Sequence, residues 1–185
     1  MKDYGTRMTI IGAAALLGAS AYAQDDEQIT RQELDRMAEE AIEELRAENP
    51  AADTLWDEAY GYAVFDTTKG GLIVTGIGGT GIAQPKGGGE ETFMHVGGGG
   101  IGLGAGLENY KLILLIQDEQ TFEQFIHGQW SGAVAGQAAA GEAGVSAEEQ
   151  FRDGVMAYRM TDGGLMAQVD VTALRFWPSA NLNRG

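Results

Sequence analysis

The sequence contains no cysteine, only two histidines and only three prolines among its 185 residues. Without cysteine, disulfide bonds and thiolate chemistry are excluded, so the fold has to be stabilised by packing. The histidines, His95 and His127, have no second ligand at helical or hairpin spacing, and no metal site is expected. No serine stands in a G-x-S-x-G motif, and no Ser-His-Asp spacing stands out. We therefore predict a protein that is not an enzyme and has no cofactor.

Positive charge is also scarce, because 12 Lys and Arg residues face 27 Asp and Glu residues, for a net charge of −15. A chain this acidic is not expected to bind nucleic acid, whose phosphates require a basic face. The same imbalance argues against docking on anionic lipid by electrostatic attraction of the whole molecule. Any contact with phosphate must therefore depend on local groups.

Long apolar runs are rare, and the first of them lies close to the N-terminus. Residues 10–19 are apolar, Lys2 and Arg7 precede them, and Ala21-Tyr22-Ala23 follows. This order is typical of a secretory signal peptide, and the run is short for a membrane span. We expect cleavage between Ala23 and Gln24, which gives a periplasmic or secreted protein; a retained N-terminal anchor is the alternative.

The segment 24–58 is predicted to be helical. Apolar residues recur at spacings of three and four between residues 25 and 48, and acidic residues occupy the opposite face. Asn49-Pro50 is expected to end this helix and to begin a short second one, in which Trp56 faces the core. The apolar stripe can pack on a β-core or dock on a membrane or partner. The acidic outer face favours packing, because helices at membrane surfaces usually carry Lys and Arg.

Glycine is abundant, and sixteen of the 29 glycines lie between Gly70 and Gly106. Interior glycines disfavour a helix and favour bent, closely packed strands. We predict strands at 62–65, 72–75, 92–96 and 110–116, with a turn over 66–71 and a loop over 85–89. The G-x-G-x-x-G matches at 76–81 and 97–102 are not followed by helices, so no nucleotide site is expected.

The remaining sequence predicts one more helix and further strands. Asp118 caps a helix that Gly128 closes, and 133–144 is interpreted as a small-residue strand in preference to a helix. A hairpin is expected from strands 155–160 and 165–176 around an Asp-Gly turn. Together these elements predict an α+β fold in which N-terminal amphipathic helices pack on a curved, mostly antiparallel, glycine-rich sheet or barrel. Segments 24–58 and 59–185 are expected to form one domain.

Several motifs in this order resemble a known family. Ala59-Tyr60-Gly61-Tyr62-Ala63-Val64-Phe65 followed by Lys69-Gly70-Gly71 is similar to the A-x-G-x-A-V-F-P…K-x-G opening of the SYLF domain, also called the Ysc84 actin-binding domain. Asp66 stands where the family usually has proline. Later segments match the family in order and extend the resemblance over essentially the whole mature chain: 97–106, 112–116, 118–125, 130–144 and Gly164-Leu165-Met166.

The resemblance implies a non-enzymatic lipid-binding protein of the cell envelope, whose partner is phospholipid or the membrane surface. Family members bind phospholipids, and fungal members bind actin. The candidate lipid-binding residues are the cations Lys69, Lys86 and Lys111, which can meet a headgroup phosphate, and Trp130 and Trp177, which lie at element ends and suit a lipid-facing rim. The alternative is an envelope scaffold that binds another protein through its exposed sheet or its N-terminal helix.

Overall fold

The computed structural model describes residues 30–71, 74–101, 106–130, 151, 153–161, 163–166 and 173–184. Two helices come first, four strands follow, and a third helix precedes three further strands. In chain order the elements are α1 (Arg31–Glu48), α2 (Pro50–Glu58), β1 (Gly61–Gly71), β2 (Val74–Pro85), β3 (Thr92–Ile101), β4 (Gly106–Ile116), α3 (Glu119–Ile126), β5 (Val155–Thr161), β6 (Gly164–Met166) and β7 (Ala173–Pro178).

All seven described strands belong to one antiparallel sheet with the order β6-β5-β4-β1-β2-β3-β7. Strand β1 lies at its centre and pairs along its whole length with β2 on one side and β4 on the other. The predicted α+β class is confirmed. Of the two sheet forms expected, the described strands form the open one, with β6 and β7 at opposite edges.

The ends of α1 and α2 follow from capping residues. Thr30 and Glu33 form a capping box in which the Glu33 N–H donates to Thr30 Oγ1 and the Thr30 N–H donates to Glu33 Oε2. The Thr30 hydroxyl also donates to Glu33 Oε2, and the hydrogen bonds from the Thr30 N–H and hydroxyl hold the pKa of Glu33 below its usual value. Asn49 ends α1, and its Oδ1 accepts from the Ala51 and Ala52 N–H groups to begin α2. The predicted boundary at Asn49-Pro50 is confirmed, whereas segment 1–29 lies outside the described residues.

Each face of the sheet carries its own core. On the first face, the apolar stripe of α1 packs with α2 against alternate strand residues, so the packing interpretation of this stripe is confirmed for residues 31–48. On the second face, Phe122 and Phe125 of α3 pack on the intervening residues. The first core includes Leu34, Ala38, Leu45, Val64, Ile113 and Tyr158, and the second includes Phe65, Leu112, Leu114 and Phe176. Among the described helices, none is long and apolar enough to cross a bilayer.

Two expectations about the strands were wrong. Residues 66–71 are not a turn, because β1 runs on to Gly71 with backbone partners on both sides. The segment 165–176 is not one strand of a hairpin: β6 ends at Met166, and β7 pairs with β3 at the far edge of the sheet. The predicted hairpin is therefore confirmed only for β5 and β6. The strand expected over 133–144 lies outside the described residues.

Two glycines of β2 allow a close approach to β1. A Cβ atom at Gly79 would lie 2.2 Å from the Asp66 carbonyl oxygen, and one at Gly81 would lie 2.0 Å from the Val64 carbonyl oxygen. Both contacts are with backbone, which cannot rotate away as a side chain can. The glycine content of this strand is thus a packing requirement of the sheet centre.

We expect Gly81→Ala to lower the free energy of unfolding by about 3 kcal/mol or more, because the added methyl group overpacks the β1–β2 contact. Gly87→Ala is the matched control, since a Cβ there meets nothing within 4 Å. Its effect should stay within about 0.5 kcal/mol. Urea unfolding of the two variants measures both values, and equal destabilisation would contradict this account of the sheet centre.

Candidate functional site

Helices α1 and α2 cover only part of the first face of the sheet. Side chains on that face alternate along β1, so Tyr62 and Val64 lie under the helices while Asp66 and Thr68 lie beyond them and are exposed. We call the uncovered part the open face. Its described side chains are exposed or half-buried: Asp66, Thr68, Thr80, His95, Leu107, Asn109, Lys111, Arg175 and Trp177.

The register of the strands places five of these side chains in one row beside α1. Trp177, His95, Thr80, Asp66 and Lys111 are direct neighbours across β7, β3, β2, β1 and β4. The Trp177 and His95 rings lie 5.8 Å apart, and His95 Nδ1 lies 3.2 Å from the Thr80 hydroxyl. These five side chains therefore run from an exposed indole to a cation, beyond which the buried Met160 of β5 continues the row.

A second row lies two residues further along the strands. Arg175, Gly97, Gly78, Thr68 and Asn109 are neighbours in it, and the Thr68 hydroxyl donates to Asn109 Oδ1 at 2.9 Å. Because of the two glycines, the middle of this row has no side chain of its own, and a guanidinium lies at one side.

Gly97 also determines where the Trp177 ring lies. A Cβ at Gly97 would be 2.7 Å from Trp177 Cη2, so the indole lies over this glycine and not beside it. The ring remains 44% exposed. Leu107, in the next row beyond Asn109, is 83% exposed and points into solvent on the same face. The open face thus carries both large hydrophobic side chains that the described residues leave exposed.

The charge of the open face differs in sign from that of the chain. Its described side chains include two cations, Lys111 and Arg175, and one carboxylate, Asp66, whereas the whole chain carries −15. Exposed apolar side chains next to cations suit the boundary between phosphate headgroups and hydrocarbon. The chemistry of this face therefore suits an amphiphile with an anionic headgroup better than the acidic remainder of the chain does.

The cleft between α1, α2 and the β2–β3 loop is less suited to an anion. It has a volume of about 240 Å³, and its lining includes Glu39, Glu43, Trp56, Tyr62, Gln84 and Lys86. The two carboxylates make the cleft negative, and its one cation is already bound to backbone carbonyls. We therefore place the candidate site on the open face.

Of the five candidate residues, only Lys111 and Trp177 lie on the open face, where they share a row but are separated by four strand spacings, about 19 Å. Lys86 Nζ donates to the Trp56 and Asp57 carbonyl oxygens, at 2.5 and 2.7 Å, and lies 5.7 Å from the centre of the Trp56 ring. It thereby caps the C-terminus of α2, where a positive charge is favourable. Trp56 packs against the first core, as predicted from the sequence.

The other two candidates lie on the second face. Lys69 is opposite Glu108, which forms an ion pair with the buried Arg159. Trp130 packs against Phe125 and Phe176, with ring centres 6.1 Å from each, and its Nε1–H donates to the Asp153 carbonyl oxygen at 3.1 Å. Neither residue is part of the open face.

Sequence analysis missed Arg175 and Leu107. Period-two alternation along β4 and β7 was the available signal, but it becomes informative only when the two strands are known to share a face. The G-x-G-x-x-G segment 76–81 lies inside β2 and pairs with both β1 and β3. Two of its glycines, Gly79 and Gly81, allow the close packing of β2 on β1. Within the described ranges, no three metal-binding side chains converge.

The placement of Lys86 predicts a structural and not a lipid-binding role. Lys86→Ala should lower the free energy of unfolding by about 1–2 kcal/mol, because two hydrogen bonds from a charged group to the end of α2 are lost. Lys111→Ala should change it by less than about 0.5 kcal/mol. Urea denaturation compares the two variants, and an unchanged stability of Lys86→Ala would show that the cap contributes nothing.

Comparisons with known proteins bear on the family. A family model described as Ysc84, Las17-binding protein actin regulator, matches residues 97–185. Beta cell expansion factor A from Aeromonas veronii is 29% identical over 149 residues, which are 80% of this chain and 57% of that protein. The chain therefore spans little more than half the length of this relative. The aligned region is longer than 97–185, so it also includes residues before Gly97. These matches confirm the resemblance found in the motifs: residues 97–185 match the Ysc84 family model, and the chain is similar to the Ysc84, or SYLF-domain, family.

Proposed function

We propose that this protein is a non-enzymatic module of the cell envelope that binds phospholipid at the surface of a bilayer through its open face. The match of residues 97–185 to a family model that is described by a binding partner, and not by a reaction, supports a binding role. The signal-like order of residues 1–23 supports export. The observation that carries the proposal is the open face, which bears the exposed Leu107 and Trp177 together with Lys111 and Arg175 in an otherwise acidic chain.

The positions along the strands match the layers of a bilayer surface. Successive rows are about 7 Å apart, so Leu107 lies roughly 13 Å beyond Lys111 and about 7 Å beyond the row of Arg175. Because α1 covers one half of the same face, measured along the strands, a bilayer would first meet the strand ends of the other, uncovered half. Leu107 would then reach deepest, Arg175 would lie among the phosphates, and Trp177 would lie at the headgroup level that tryptophan favours.

Affinity would come from both apolar and charged contacts. Burying exposed apolar surface stabilises a complex by about 25 cal/mol per Å². A cation near an anionic leaflet contributes about 1 kcal/mol. The acidic outer face of α1 opposes close contact over the rest of this side of the molecule. The proposal therefore predicts a small, oriented contact and not adhesion of the whole surface.

The test is flotation of the protein at low salt with two kinds of vesicle, one of anionic phosphatidylglycerol and one of zwitterionic phosphatidylcholine. The double variant Lys111→Glu/Arg175→Glu should reduce binding to the anionic vesicles at least tenfold, because two attractive charges become repulsive. Leu107→Ser/Trp177→Ser should reduce binding to both kinds of vesicle. Arg36→Glu, a charge reversal on the exposed side of α1, is the matched control and should bind as the parent protein does.

Two results would overturn the proposal. If Arg36→Glu weakens binding as much as the open-face variants do, net charge and not the open face controls the interaction. If the parent protein floats with neither kind of vesicle, the envelope scaffold becomes the better function, and the open face would then contact a protein. The family description, which names a protein partner, favours that alternative. Because the apolar stripe of α1 is buried, a partner protein would dock on the exposed sheet and not on this helix.

A further inference from the structure

Strand β4 carries three side chains on the open face whose chemistry changes along the strand. Leu107, Asn109 and Lys111 are alternate residues of β4, so they follow one another about 7 Å apart on the same face. The first is apolar, the second is an amide and the third is a cation. From the exposed Leu107 toward α1, this order matches a phospholipid from its acyl chains to its headgroup.

The Asn109 amide has its donors available for a ligand. Its Oδ1 already accepts from the Thr68 hydroxyl at 2.9 Å, whereas its Nδ2 group donates to no acceptor in the part of the chain that the structure describes. The amide and the Lys111 ammonium are both donors, and they lie two residues apart on one strand. Together they can donate to the oxygens of one phosphate, where the charged donor gives the stronger hydrogen bond.

Asp66 is the one carboxylate among the described side chains of the open face. It lies directly opposite Lys111 on β1, and side chains that face each other across a strand pair are close enough to form an ion pair. Within the described ranges, neither side chain forms an ion pair or a hydrogen bond. The carboxylate is therefore available to a cation, next to the donors of β4.

These three groups suit a ligand with two charges better than a simple anion. A phosphate bound by Asn109 and Lys111 would lie beside the Asp66 carboxylate, which repels it. A positive group joined to the phosphate by a short linker offsets this repulsion, because it can pair with the carboxylate. Neighbouring strands are about 4.8 Å apart, which is close to the span of the ethylene linker between the phosphate and the ammonium of an ethanolamine headgroup.

We propose that the open face selects phospholipids that carry a primary amine beside the phosphate, with the phosphate bound by Asn109 and Lys111 and the ammonium bound by Asp66. This inference rests on the proposed function and specifies its lipid class. A primary ammonium has N–H groups that donate to a carboxylate, whereas the quaternary ammonium of phosphatidylcholine has none. Asp66 is therefore the residue that distinguishes the two headgroups.

The depth of these residues agrees with the bilayer contact proposed above. Asn109 lies in the same row as Arg175, at the level of the phosphates, and Asp66 lies one row further from Leu107. The amine is the outer end of such a headgroup, so it reaches the row of Asp66 when the phosphate is at the row of Asn109. Arg175 is four strand spacings from Asn109, about 19 Å, and would contact a different lipid.

The experiment is flotation with phosphatidylcholine vesicles that contain, at the same mole fraction, either phosphatidylethanolamine or phosphatidylglycerol, with pure phosphatidylcholine as the baseline. The parent protein should bind the phosphatidylethanolamine vesicles about two- to fivefold more tightly than the baseline, the range expected for an exposed ion pair. Asp66→Asn should abolish this preference, because its amide has no charge. The same variant should strengthen binding to phosphatidylglycerol, since it removes a repulsive charge.

Two further variants and a soluble competitor make the test specific. Glu44→Gln, the same loss of charge on the exposed side of α1, should keep the preference for phosphatidylethanolamine. Asn109→Asp keeps the acceptor for Thr68 but replaces the amide donors, and it should weaken binding to both added lipids; unchanged binding would refute the phosphate site. Free O-phosphoethanolamine should not displace the protein from vesicles, because it lacks the acyl chains that Leu107 would contact.

Four other results would overturn the selection. The parent protein binds phosphatidylethanolamine no better than phosphatidylcholine; Asp66→Asn keeps the preference, so that bilayer packing determines it; Glu44→Gln abolishes it, so that net charge determines it; or free O-phosphoethanolamine displaces the protein, so that the site serves a soluble ligand. Undiminished binding of the parent protein to phosphatidylglycerol would, in the first two cases, leave the proposed function intact. Flotation with no vesicle at all would overturn both.

Discussion

The antiparallel pairing of β1 with β2 and β4 is the interaction on which the rest of the structure depends. Eleven residues of β1 have partners on both sides, which makes this strand the centre of the sheet. A central strand is buried only when both faces of the sheet are covered. Helices α1 and α2 cover one face, and α3 covers the other. The same register aligns Trp177, His95, Thr80, Asp66 and Lys111 in a single row. The pairing register of β1 therefore determines both how the sheet centre packs and which side chains lie together on the open face.

The incomplete cover of the first face creates the candidate site. α1 buries the residues near one end of the strands and leaves their continuation exposed, where Gly78 and Gly97 carry no side chain and the Trp177 ring lies over Gly97. Two cations and two large apolar side chains remain there, while much of the negative charge lies elsewhere, including the outer face of α1. The sign of the charge on this face, and not the net charge of the chain, determines what such a surface can bind. An acidic protein can thus present one face that suits a phosphate-bearing amphiphile.

Local signals in the sequence predicted the elements whose ends are marked by capping residues. Asn49-Pro50 separates α1 from α2, and Asp118 with Gly128 brackets α3, because these residues satisfy helix-end groups without help from the rest of the chain. The interpretation of 66–71 as a turn failed because its polar and glycine residues reflect exposure of one face. Thr67 is buried between the exposed Asp66 and Thr68, which is the alternation of a strand. Pairing with distant strands overrode the local preference.

The candidate site could be predicted only in part for the same reason. Lys111 and Trp177 were found as an isolated cation and an isolated indole, but their common row depends on β7 lying beside β3. Nothing near Lys86 in the sequence indicates that its ammonium reaches the end of α2, about thirty residues earlier. Strand order and long-range capping are tertiary properties, so residue type and spacing alone did not separate Lys111 from Lys86 or Trp177 from Trp130.

The most direct test of the central claim is a map of the bilayer contact by NMR, with vesicles that contain a spin-labelled phospholipid. The account predicts that amide signals broaden at residues 66–68, 107–111 and 175–177, with the strongest effect at Leu107. Amides of α1 and α3 should remain sharp relative to these. Broadening centred on the exposed side of α1, or on residues 119–126, would contradict the assignment of the open face as the lipid-binding surface.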